Sequence, residues 1–139
     1  MRIVDVHSHW GTKRGYVLRT DAALARQSTT WRSEPKYDTE EEMARYLRAN
    51  GARAILDFGF TKNLPLDEVV PLHDYALAVQ AKYPDAILGH WLQIDPRLGE
   101  AGAAELEHCI RASKGFIGYC VSASGMGYTA DHAIYGPFY

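Results

Sequence analysis

The stretch Arg53-Ala54-Ile55-Leu56-Asp57-Phe58-Gly59-Phe60 reads as a strand that is apolar on both faces. Two later stretches share its character: residues 86–94 (AILGHWLQI) and residues 115–121 (GFIGYCV). The three begin near residues 53, 86 and 115, about thirty residues apart, which leaves room for a turn and a helix in each interval. Strands that do not alternate apolar and polar are buried on both sides, as in a parallel sheet covered by helices. The intervals carry the helices. In residues 65–83, Leu72, Tyr75, Ala76, Val79 and Tyr83 share one face, Pro84 ends the run, and Pro71 is expected in the first turn. In residues 97–113, Leu106, Cys109 and Ile110 mark the buried face.

Upstream, Thr39 followed by Glu42 fits a capping box, and Glu40 and Glu41 suit a positive helix N-terminus. Met43, Tyr46 and Leu47 form the apolar stripe of that helix, and Asn50-Gly51 stops it. Residues 3–9, rich in β-branched side chains, read as a mostly buried first strand. Residues 11–38 are polar and read as one long loop, a length that usually signals function or mobility. The fold class is therefore α/β, built from repeated strand-helix units. An open doubly wound sheet and a (β/α) barrel both satisfy the pattern. No glycine-rich phosphate loop follows the first strand.

Composition narrows the function classes. The 139 residues are 47% hydrophobic and 23% charged, as in an ordinary globular domain. Lys and Arg number 15 against 17 Asp and Glu, a net charge of −2, so nothing drives counterion-release binding to nucleic acid. No apolar run approaches the roughly 20 residues of a membrane helix, and the N-terminus does not read as a secretory signal. Two cysteines, Cys109 and Cys120, exclude a disulfide scaffold and point to a reducing, cytoplasmic setting.

The chemistry sits in Asp5-Val6-His7-Ser8-His9, at the end of the first strand. Strand side chains alternate, so Asp5, His7 and His9 are expected on one face, where His7 and His9 can reach one metal ion. Imidazole suits zinc and other borderline divalent metals, with zinc the default. The carboxyl end of a parallel strand is where α/β proteins build their sites.

These features resemble the metal-dependent amidohydrolase superfamily, within it the branch related to 2-amino-3-carboxymuconate 6-semialdehyde decarboxylase. The resemblance rests on Asp5-Val6-His7-Ser8-His9, Gly51-Ala52-Arg53-Ala54-Ile55, Ile94-Asp95-Pro96 and Gly115-Phe116-Ile117-Gly118, in that order. It implies a (β/α)8 TIM-type barrel of which residues 1–139 supply the first four strand-helix units, a single domain's N-terminal half. It implies His7 and His9 as metal ligands, with the remaining ligands on later strands. It implies a hydrolase acting on an ester, lactone or amide carbon of a small carboxylated substrate, or else a non-oxidative decarboxylase (a lyase) of the same branch. The full-length protein is then expected to be a homo-oligomer. No lysine lies in residues 115–122, which argues against a lysine-bridged binuclear centre. A barrel of this kind needs about 250 residues, so the chain is expected to be an incomplete barrel, inactive alone.

Other polar residues read less sharply. His90 and Gln93 lie in the third strand with an ambiguous face, and a structural role is favoured for both. His73 and His108 are expected on helices of the outer layer, at the surface or at an interface. His132 has no assigned place. Cys120 reads as a small buried residue without an activated thiolate. Trp10 and Trp31 border the long loop, where Trp10 is a candidate substrate-binding residue and core packing is the competing role. Arg14, Arg19, Arg26 and Arg32 are read as solvated loop residues, although any one of them could bind a carboxylate. No residue is assigned as the catalytic acid or base.

Overall fold

A computed structural model of the chain describes residues 3–16, 20–32, 34–58, 64–120 and 127–139. Arg19, the side chain of Trp31 and the glycine-rich residues 124–126 fall outside them. The architecture is α/β. Four strands, β1 (Ile3–His9), β2 (Ala52–Asp57), β3 (Ile87–Leu92) and β4 (Phe116–Tyr119), form one sheet in the order β1-β2-β3-β4. All three pairings are parallel. Among the described residues four α-helices lie between them: α1 (Asp21–Trp31) and α2 (Glu40–Ala49) between β1 and β2, α3 (Leu66–Lys82) between β2 and β3, and α4 (Gly99–Ala112) between β3 and β4. The strand order equals the chain order, with β1 at an edge. A doubly wound sheet would place its first strand inside, with strands on both sides.

The core lies on one side of this sheet. Ala54, Leu56 and Ile87 pack against Met43 and Ala44 of α2 and Tyr75, Ala76 and Val79 of α3. Leu92 and Phe116 continue the layer against Leu106 and Cys109 of α4. The capping box is present with a small shift. Thr39 accepts from the Glu42 amide at 3.2 Å, while the Glu42 carboxylate reaches back one residue further, to the Asp38 amide at 2.9 Å. Gly51 adopts a positive φ of 62°, as the stop signal requires.

Five expectations are corrected. Residues 11–38 are not all loop, because α1 lies within them. Thr20 caps α1 by accepting from the Ala23 amide at 3.1 Å, but the helix has no strong apolar stripe to announce it. The base of this segment is closed where the Gly11 carbonyl accepts from the Lys36 and Tyr37 amides. Second, β1 is not mostly buried: Ile3, Val4 and Val6 are 47%, 49% and 60% exposed. β1 is an edge strand, and α2 packs chiefly on β2, leaving a cleft of about 570 Å³ bordered by Asp5, Ser8, Tyr46 and Leu47. Third, Pro71 is the sixth residue of α3, past the first turn, where its ring removes a helical hydrogen bond. Fourth, Tyr46 and Ile110 are exposed, at 55% and 51%, and Ala44 takes the core position on α2. Fifth, His73 is buried, at 3% exposure, while His108 is exposed as expected.

Among the described residues, no helix is long and apolar enough to cross a membrane.

Candidate metal centre

The site is built at the carboxyl ends of β1 and β2. Their register pairs Asp5 with Ala54 and Ser8 with Leu56, so β1 carries one extra residue between those pairs. Such a bulge re-aims side chains at a strand end. It sets Asp5 beside Ala54 on the α2 side, so the expected sharing of one face by Asp5, His7 and His9 is corrected. The Asp5 carboxylate instead accepts from the His7 backbone amide at 3.1 Å and holds the bulge.

Past the bulge, His9 pairs with Asp57, the last residue of β2. Asp57 has no solvent exposure, whereas the side chains of His7 and His9 are 59% and 57% exposed. His7 Nε2 lies 2.6 Å from Asp57 Oδ2, and His9 Nδ1 meets Asp57 Oδ1. The two imidazoles sit edge to face with centroids 5.4 Å apart. The three donor atoms lie within 4.8 Å of one another. Hydrogen bonding to Asp57, and its charge, raise the His9 pKa above the ordinary histidine value, against the opposing effect of burial.

This donor set fits a divalent cation. Two imidazoles and a carboxylate are ligands that zinc accepts, and a buried carboxylate without a cation is costly. Asp57 Oδ2 is buried and receives no aligned hydrogen bond among the described residues. Ligands sharing one ion at about 2.0–2.2 Å and tetrahedral angles sit roughly 3.3–3.6 Å apart, so a cation would push both imidazole nitrogens outward from Asp57. Asp57 is the site residue that sequence reasoning missed. The available signal was one acidic residue at the end of an otherwise apolar strand.

The side of the sheet away from the helices is partly filled by Trp91. Its indole N–H donates to the Val6 carbonyl at 2.8 Å, reaching from β3 to β1. The ring lies against Gly118, where a Cβ would stand 2.6 Å from Trp91 Cζ3. Cys120, just past β4, is half-buried. Burial, and then the Asp57 charge, push its thiol pKa up, so it is not an activated thiolate.

The remaining sequence candidates have structural surroundings. Trp10 is 1% exposed and stacks between Phe58 (5.5 Å) and His90 (5.4 Å), within the core. His90 is 1% exposed on the helix side, and burial lowers its pKa to about 4, so it is neutral. Gln93 is buried. Asp95 caps the 3-10 turn Pro96–Leu98 by accepting from the Arg97 amide, and it pairs with the Arg97 guanidinium at 2.6 Å. Arg14 stacks over the Tyr75 ring at 4.5 Å. His132 accepts from the Ile134 amide and caps the 3-10 segment Ala133–Phe138.

No family model, curated protein or solved structure matches this chain.

Proposed function

We propose that the chain carries the metal-holding part of a metal-dependent hydrolase of the amidohydrolase type. In this reading His7, His9 and Asp57 hold one divalent ion, zinc by default. The observation that carries it is the meeting of two β1 imidazoles with a fully buried β2 carboxylate, at the carboxyl ends of adjacent parallel strands. Four parallel strands in chain order, with α2, α3 and α4 packed on one side, are compatible with the first half of a (β/α)8 barrel. When bound, such an ion lowers the pKa of water and polarises a carbonyl, the chemistry that ester, lactone or amide hydrolysis requires.

The chain's own residues set the conditions for that chemistry. Asp57 supplies negative charge from a position closed to water, where its attraction for a cation is little screened. The exposed flanks of His7 and His9 face the solvent, the direction from which a small carboxylated substrate arrives. Asp5 fixes the bulge that aims His7, and Trp91 tethers β1 through the Val6 carbonyl. The reading places the protein in the cytoplasm as part of a homo-oligomer.

One observation favours a second reading, in which these units are catalytically incomplete. Ile3, Val4 and Val6 of β1 leave an apolar edge that further strands would cover. A turnover assay decides between the two. The zinc-loaded chain is incubated with carboxylated esters, lactones and amides, and with unsaturated carboxylic acids to detect decarboxylation. Hydrolysis that chelation abolishes and His7→Ala removes supports the first reading. Turnover that survives His7→Ala and His9→Ala together contradicts it, and no turnover with metal bound supports the second.

A further inference from the structure

A second cluster lies on the opposite side of the sheet, between α3 and α4. Glu105 and Cys109 are four residues apart on α4, one turn along the same face. His73 of α3 meets both. The separations are 3.2 Å for His73 Nδ1 to Glu105 Oε1, 3.4 Å for Cys109 Sγ to His73 Nδ1, and 3.0 Å for Cys109 Sγ to Glu105 Oε1. His73 and Cys109 are each 3% exposed, and the Glu105 side chain is 14% exposed.

Hydrogen bonding uses two sides of this triangle: the His73 Nδ1–H and the Cys109 thiol can each donate to Glu105 Oε1, and the 3.4 Å Cys109–His73 contact is then an ordinary van der Waals approach. A cation at the centre engages all three atoms together. Zinc bonds of about 2.0–2.1 Å to nitrogen, 2.0–2.2 Å to oxygen and 2.3 Å to sulfur, at tetrahedral angles, put ligand atoms roughly 3.3–3.6 Å apart. The observed 3.0–3.4 Å needs little movement. Charge closes as well. One thiolate and one carboxylate balance a divalent ion, so the filled site buries no net charge.

We propose that His73 Nδ1, Glu105 Oε1 and Cys109 Sγ supply three ligands to a zinc-like divalent ion that clamps α3 to α4, with the fourth position left to water. Binding replaces the thiol proton, which leaves to solvent, and uses the neutral imidazole. Burial already holds His73 neutral by lowering its pKa. The same burial, with the Glu105 charge, raises the Cys109 pKa, so the metal-free thiol stays protonated and inert.

Cobalt(II) titration of the intact chain, followed by absorption, tests this. The wild-type protein should show a thiolate-to-cobalt charge-transfer band that saturates with about one equivalent. The band should persist in Cys120→Ser and in the His7→Ala/His9→Ala double variant. It should vanish in Cys109→Ser and weaken in Glu105→Gln. Absence of the band in the wild-type protein overturns the proposal without any variant, so misfolding of Cys109→Ser cannot mask failure. A band that disappears in Cys120→Ser overturns it too.

Discussion

His90→Phe isolates one buried titration and fixes its size. His90 is 1% exposed, stacks on Trp10 and sits 6.3 Å from the Phe116 ring. Both of its ring nitrogens are buried without a well-aligned hydrogen bond among the described residues, and the backbone of Ala76 is a weak partner that opposes the effect of burial. Burial lowers its pKa from 6.5 to about 4. Between those values the unfolded chain binds a proton that the folded chain refuses. The stability due to neutral His90 is therefore complete above 6.5 and is lost as pH falls towards 4. Linkage gives a loss of about 2 kcal/mol near pH 5 and roughly 3 kcal/mol near pH 4. Phenylalanine fills a similar volume and does not titrate, and it gives up only the weak Ala76 contact, so His90→Phe should be nearly neutral near pH 7. The assay is urea unfolding of both proteins across this pH range. Other acidic groups titrate equally in both, so the difference between the two curves reports His90. Wild type should lose about 3 kcal/mol relative to His90→Phe between about pH 7 and about pH 4. Parallel curves would show that His90 is hydrated or paired and refute the reasoning.

Three further outcomes follow from the packing. Leu56→Ala empties a fully buried site between α2 and the sheet and should cost about 2–5 kcal/mol in urea unfolding. Thr39→Ala removes the side-chain acceptor for the Glu42 amide, and a shift in the thermal midpoint equivalent to about 1 kcal/mol is expected. Gly118→Ala puts a methyl group 2.6 Å from Trp91 Cζ3, so the indole must move off the Val6 carbonyl. Its indole N–H resonance should shift, and stability should fall by roughly 1–3 kcal/mol.

The parallel strands were legible because apolar runs at regular intervals report burial on both faces. The same rule misled for β1: Ile3, Val4 and Val6 look like core residues, yet they lie on an edge strand. Which strand becomes an edge depends on pairing order, which no local pattern encodes. His7 and His9 were legible from their spacing. Asp57 was not, because its partners lie 48 and 50 residues earlier and meet it only through the β1–β2 register. A bulge of one residue removed Asp5 from their face, and strand alternation alone does not predict bulges. His73 looked like an outer-helix residue, and the close approach of α4 buries it.

The central claim, that His7, His9 and Asp57 together hold one divalent ion, is tested most directly by metal content. Wild type and the His7→Ala/His9→Ala double variant are loaded with zinc, desalted and analysed for metal per chain. The account predicts that the double variant retains about one equivalent less than wild type, whatever other metal the chain carries. Equal metal content in the two folded proteins would contradict it.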